Sequence, residues 1–385
     1  MLAALTWFDG AARQPDVDPS ASPLWQVAGR TRGLPAAADG LVFALTTDHE
    51  VVALDLADGR EVWRRPTGER GWTTEGARVV VADDVVMAGD WDVYAFDART
   101  GQPRWSFHPA EGYAPGYFLG VAYGARVFTG SPSGRLYAID ARSGQSLWTS
   151  TVEASVDAGP LTTVFEPVTD GRLVLAGYTV FDALDRGGVV AVSADDGREH
   201  WRFRFPQPEG APRPLALAGG PLLHDDLVVA AAADGRIWGL DRATGAVRWS
   251  IPPLAGPFDG IITRVDQEQR GLAIVGNHLI AGSLTGYLTA YDLSTMRQAW
   301  QLRQGWLGSL SWRDYSHADG VVYVPFVSGF LHAVDATTGA IRWRTSDYRQ
   351  GLAWPVLVVG DRVIATGASG IWAFRAATPV PDARP

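Results

Sequence analysis

The sequence predicts an all-β ring, an eight-bladed β-propeller of four-stranded antiparallel blades. Three observations predict it: a phrase that recurs along most of the chain, short β-branched runs between its copies, and a broken copy divided between the two ends. The phrase is a small residue, any residue, Asp, a short turn with Gly, then Trp. The first copy is Ala53, Asp55, Gly59 and Trp63; the second is Ala95, Asp97, Gly101 and Trp105; the third is Ala138, Asp140, Gly144 and Trp148. Ala191, Gly197 and Trp201 follow, then Gly239, Asp241, Gly245 and Trp249, then Ala290, Asp292 and Trp300, then Ala333, Asp335, Gly339 and Trp343. Ser193 replaces the Asp of the fourth copy, and Met296 replaces the Gly of the sixth. The small residue always stands ten positions before the Trp.

Each element of the phrase has a physical reason. Val79–Ala82, Val85–Ala88 and Val93–Phe96 are short, β-branched and separated by turn residues, so they read as successive strands. Ser133-Gly134, Asp234-Gly235, Thr285-Gly286, Ser328-Gly329 and Ser369-Gly370 stand where hairpins need Gly at positive φ. The Trp opens the outer strand, where its ring can wedge between neighbouring blades and bury roughly 150–250 Å². The small residue leaves room for that ring, the Gly lets the chain reverse, and the Asp accepts hydrogen bonds from turn amides.

Seven complete copies end at Trp343, and an eighth begins at Gly370-Ile371-Trp372-Ala373-Phe374 without reaching a Trp of its own. The missing strand is Pro23-Leu24-Trp25, ahead of the first copy. The N-terminal strand is therefore expected to pair with the last blade and close the ring, which removes open sheet edges. The expected organisation is an N-terminal extension at 1–17, one propeller domain at 18–378 and a tail at 379–385.

Composition narrows the function. The chain has 385 residues, a formal charge of −9 and no Arg-rich run, which disfavours a nucleic-acid groove. With no cysteine there is no disulfide, thiolate zinc site or cysteine nucleophile. No run has the length of a membrane-spanning helix, and Met1–Gly10 has no basic lead of an export signal. If Met1 is the native start, a cytoplasmic location is expected; if an export segment has been removed, an envelope location is. The seven His residues show no paired metal spacing. Asp83-Asp84, Asp195-Asp196 and Asp225-Asp226 lack the alternating oxygen ligands of a calcium loop. No catalytic, cofactor-binding or metal-binding residue is nominated.

The phrase resembles the repeat of pyrroloquinoline-quinone (PQQ) enzymes and their cofactor-free relatives, and in size and layout it is most similar to the outer-membrane assembly lipoproteins of the BamB type. The resemblance spans about residues 18 to 378. It implies an eight-bladed fold and a non-catalytic scaffold that binds a protein partner in the cell envelope. The alternative it implies is a dehydrogenase or sensor that holds PQQ or another small planar ligand. PQQ alcohol dehydrogenases carry an adjacent cysteine pair and are much longer; BamB-type proteins carry a lipid-modified cysteine. Neither cysteine feature is present here. The expectation is a monomer, not an enzyme, without a cofactor.

Eight of the sixteen Trp residues are wedges. Trp238 and Trp372 share a slot with Tyr94, Tyr137 and His332, which reads as packing between blades. Trp72, Trp306, Trp312 and Trp354 fall in the connections between blades, near Arg313, Tyr315 and His317. Aromatic residues beside Arg compose many protein-binding hot spots. Trp72, Trp306, Trp312, Arg313, Tyr315 and Trp354 are accordingly the candidate partner-binding residues at the funnel mouth; the competing reading is a plug of packed rings. Gly177–Gly188 reads as the longest insertion and as a second candidate loop.

Overall fold

The structure is a computed structural model. It describes residues 20–377 apart from 69–77, 90–91, 109–117, 132, 153–160, 182–185, 207–219, 233–234, 253–268, 284–286, 304–314, 326–329 and 346–355. Its strands form eight separate sheets, one per blade of the propeller, and there is no helix among the described residues. Blade two shows the plan, with strands a to d running from the axis outward: Val79–Ala82, Val85–Gly89, Val93–Asp97 and Pro103–Phe107. Strand b is buried along its whole length. A middle strand covered on both faces is apolar throughout instead of alternating. The core is therefore a set of seams between blades. Phe43, Leu45, Val51 and Trp63 of blade one, for example, pack on Val79, Val86 and Phe96 of blade two.

The repeated phrase builds each seam. The Trp63 ring lies between Phe43 of its own blade and Phe96 of the next, at centroid distances of 5.8 and 6.2 Å. Its indole N–H donates to the Ala98 carbonyl at 2.9 Å. The same bond to the following blade is made by Trp25, Trp105, Trp148, Trp201 and Trp300, at 2.8 to 3.0 Å. The turn glycine has a second task beyond reversal. At Gly101, φ is +68°, and an added Cβ would stand 2.6 Å from the Trp63 ring, so the glycine of one blade seats the Trp of the blade before it. The Asp caps its turn as expected: Asp97 Oδ1 accepts from the Thr100 amide and hydroxyl, both at 2.8 Å. Ser193 does the same work in blade four, accepting from the amides of Asp195 and Asp196 at 3.2 and 3.3 Å.

The ring closes as the sequence predicts. Trp25–Ala28 forms the outer strand of blade eight and pairs antiparallel with Gly370–Arg375, Trp25 opposite Ala373. The Thr31 hydroxyl ties the seam: it accepts from the Gly367 amide at 3.1 Å and lies 3.0 Å from the carbonyls of Gly367 and Gly370. Gly370 is not among the positive-φ glycines; it is needed because an added Cβ would meet the Val27 carbonyl at 2.5 Å. Blade seven has a fifth strand, Ser20–Ala21, lying parallel against its outer strand Ile341–Thr345.

Blade four corrects the reading of Gly177–Gly188 as a loop. Leu173–Phe181 and Arg186–Ser193 pair continuously from Leu173 opposite Ser193 to Val180 opposite Arg186, so the segment is mostly a lengthened hairpin. Its inner strand is split to match. Val168–Thr169 pairs with the base of the hairpin and Leu161–Val164 with its extension. The Val164 amide also donates to the Ser131 carbonyl of blade three at 2.9 Å.

Candidate functional site

Strand order puts the a–b and c–d turns at one end of the ring and the b–c and d–a connections at the other. The sequence-based candidates belong to the connections from an outer strand to the next inner strand. Trp72, Trp306, Trp312, Arg313 and Trp354 lie outside the described residues. Tyr315 is described, and it is no surface anchor. It is buried among Ile280, Leu288, Val322 and Val324 of blades six and seven, and its amide donates to the Leu272 carbonyl at 2.7 Å. Placed just ahead of an inner strand, it is drawn into the seam. His317 is likewise within inner strand Ser316–Ala318, opposite Val322, and not on a connection. Its side chain is exposed, and partial desolvation, then the nearby His224, push its pKa down.

Trp238 and Trp372 are buried in the seams between blades four and five and between blades seven and eight, as their repeat slot implies. His332, in the same slot, is buried too, and burial followed by repulsion from Arg344 pushes its pKa down to about 3.

At the turn end, carboxylates meet guanidinium groups. Asp97 binds Arg104 at 2.6 Å, and Arg104 also contacts Asp84. Asp83 pairs with Arg142 at 2.9 Å, Asp195 with Arg126 at 2.7 Å, and Asp226 with Arg248 at 2.5 Å. Each aspartate pair noted in the sequence thus contributes at least one surface ion pair to an Arg, of small individual worth. The hydrogen bond from Arg104 holds the Asp97 carboxyl well below the usual range, and that from Arg248 holds Asp241 at about 2. No group of three or more His, Asp or Glu is placed to hold a metal ion among the described residues.

A small open depression lies where the ring closes, bordered by Val27, Arg30, Thr46, Asp48, Arg64 and Ile371. Arg64 is engaged by Glu50 at 2.7 Å and Glu61 at 2.8 Å, which raise its pKa, so its charge is matched within the rim.

Comparison with known proteins agrees with the architecture. Residues 16–159, 133–306 and 284–379 match the family model described as outer membrane protein assembly factor BamB. The BamB of Xanthomonas campestris pv. campestris is 30% identical over 315 residues, covering 81% of this chain and 68% of that protein. The quinohemoprotein alcohol dehydrogenase ADH IIB of Pseudomonas putida is 31% identical over 130 residues, which is 32% of this chain and 18% of that enzyme. Among solved structures, BamB from Moraxella catarrhalis superposes with a TM-score of 0.67 at 18% identity, covering 92% of this chain and 99% of that one.

Proposed function

We propose that this chain, which belongs to the outer membrane protein assembly factor BamB family, is a non-catalytic scaffold that binds a protein partner during outer membrane protein assembly in the cell envelope. One observation carries the reading: the residues that define the repeat are consumed in holding the blades together. The Trp is spent on a neighbouring carbonyl and glycine, and the Asp on its own turn and, in several blades, an Arg. What remains for recognition is the connections, which rigid blades present at one end of the ring, the usual division of labour between scaffold and loops. Trp72, Trp306, Trp312, Arg313 and Trp354 are the contact candidates there; Tyr315 is withdrawn, because it is buried in a seam.

The local similarity to a quinohemoprotein alcohol dehydrogenase supports a second reading, a quinone-dependent activity. The chain does not fit it well: the adjacent cysteine pair has no counterpart in a chain without cysteine.

Two measurements separate the readings. In a host lacking its own BamB, this chain fused to an export and lipid-anchor signal is expected to restore outer membrane protein levels. Trp306→Ala and Trp312→Ala are expected to lose that rescue while keeping the wild-type melting temperature, the result that separates a binding anchor from a core residue. Purified protein given PQQ, calcium and an alcohol and sugar panel should reduce no dye. Steady turnover would replace the scaffold reading with the enzymatic one.

A further inference from the structure

The outer strands differ in how their open edges are guarded. An unpaired edge invites another strand, and proteins discourage this with charged residues, proline or a covering segment. Glu61–Pro66 carries Glu61, Arg64 and Arg65; Pro103–Phe107 carries Arg104; Glu199–Arg204 carries Glu199, Arg202 and Arg204. Val247–Ile251 carries Arg248, and Arg297–Arg303 has an Arg at each end. Ile341–Thr345 carries Arg342 and Arg344, and is also covered by Ser20–Ala21. Trp25–Ala28 is uncharged but only four residues long, entered from Pro23.

Ser146–Thr151 of blade three, with sequence Ser-Leu-Trp-Thr-Ser-Thr, has six residues and neither charge nor proline. It ends its sheet, with no strand on its outer side among the described residues. Trp148 turns inward to blade four, while Leu147 and Thr149 are exposed, Leu147 by 48%.

We propose that Ser146–Thr151 is a docking edge that accepts an extended, uncharged strand of a protein partner by backbone pairing. The inference rests on the scaffold reading and gives the partner a chemistry. Backbone groups on a free edge select an extended segment. The strand is bulged at Leu147, and beyond the bulge the exposed Thr149 and Thr151, with Leu147 beside them, select apolar or β-branched residues at every second position. This ring already holds one such addition: Ser20–Ala21 lies on the outer strand of blade seven as a lone segment from outside that blade. A second copy is the poorer occupant. Two convex rims meeting along one strand would bury little beyond that strand pair, well short of the roughly 1,200–2,000 Å² of a stable interface.

The probe is a fluorescent acetylated octapeptide of alternating Thr and Val, with a twin whose alternate amides are N-methylated. Wild-type protein should bind the first saturably and the twin at least tenfold more weakly. Leu147→Arg and Thr149→Arg, both at exposed positions, should weaken binding at least tenfold with unchanged melting, whereas Val62→Arg on the guarded edge of blade one should not. Amides 146–151 should exchange more slowly when the peptide is bound. Absence of saturable binding, equal binding of the twin, or variants that bind like wild type would each overturn the proposal. So would a wild-type dimer that Thr149→Arg dissociates, because a second copy would then be the occupant. If peptide binding fails while rescue of the BamB-deficient host persists, only the edge assignment falls and the scaffold reading stands.

Discussion

At the scale of single residues, the repeat makes substitutions in one blade interpretable from the others. His332 shows this best. Its slot holds Tyr94, Tyr137, Trp238 and Trp372 in four other blades and Val52, Val190 and Thr289 in the remaining three, and His332 fills it stacked on Phe330 at 6.2 Å. Burial, then the charge of Arg344, depress its pKa from 6.5 to about 3. The folded protein therefore binds that proton less readily than the unfolded chain. Stability from this group is full above about pH 6.5 and is lost as pH falls from there towards 3. Between pH 7 and pH 5 the expected loss is about 2 kcal/mol. Asp241 and Asp292, each held near pKa 2, add their own loss only below their ordinary value of 3.8. His332→Tyr should thus flatten the decline in melting temperature between pH 7 and pH 5 and leave the steeper fall below pH 4. An unchanged slope in the upper window would assign it to other groups, His317 first.

At the scale of the element, blade six breaks the phrase, and the break is matched in blade five. Six turn glycines seat the preceding Trp so closely that an added Cβ would fall 2.5 to 2.7 Å from its ring. Blade six has Met296 there, held at φ +56° by the same backbone bond to Asp292 that the glycines make to their own blade. The preceding Trp249 lies instead over Gly239 of its own blade, where an added Cβ would stand 2.1 Å from the indole. Gly239 is the one complete copy without Ala in the small slot, so Met296 and Gly239 form a compensating pair. Gly239→Ala alone should destabilise by about 2 kcal/mol or more, through overpacking. Combined with Met296→Gly it should recover at least about 1 kcal/mol of that loss. Additive effects in denaturant melts would dissolve the pairing. The sequence showed both departures from the phrase but not their link, because no local pattern says that a turn touches the Trp of the preceding blade. The same limit hid Ser20–Ala21, whose parallel partners lie at Arg344 and Thr345. It also misplaced Tyr178 in a loop, although Tyr178 is buried in the lengthened hairpin. Of the candidate site, only the fate of Tyr315 is decided by geometry, and what took it into the core was the inner strand that it precedes.

At the scale of the whole molecule, closure decides how stability is shared. In an open array of repeats each unit leans only on its neighbours, so unfolding can begin at an end. Here the last blade is completed by the first strand, and the seam is fastened from both sides: Trp25 and Arg362 both donate to the Leu56 carbonyl, and Thr366 donates to the Gly33 carbonyl at 2.8 Å. Deleting residues 1–28 removes the Trp25 wedge and two strands, Trp25–Ala28 from the edge of Gly370–Arg375 and Ser20–Ala21 from the edge of Ile341–Thr345. Loss of the buried Trp25 ring alone should cost on the order of 3–5 kcal/mol, as large aromatic truncations in cores do. The more telling change should be in cooperativity. The ring would gain two ends, at blades one and eight, and amide exchange should rise first in Leu41–Thr46 and Arg362–Gly367, ahead of the blades opposite. Aggregation should accompany it through the newly bare edge. The measurement is a denaturant melt followed by near-ultraviolet signal and by exchange, comparing the deletion with Trp25→Ala. The point variant should lower the midpoint but keep a single transition, and the deletion should broaden it. A deletion that melts as sharply and as late as the full chain would mean that the N-terminal strand decorates a ring already closed without it.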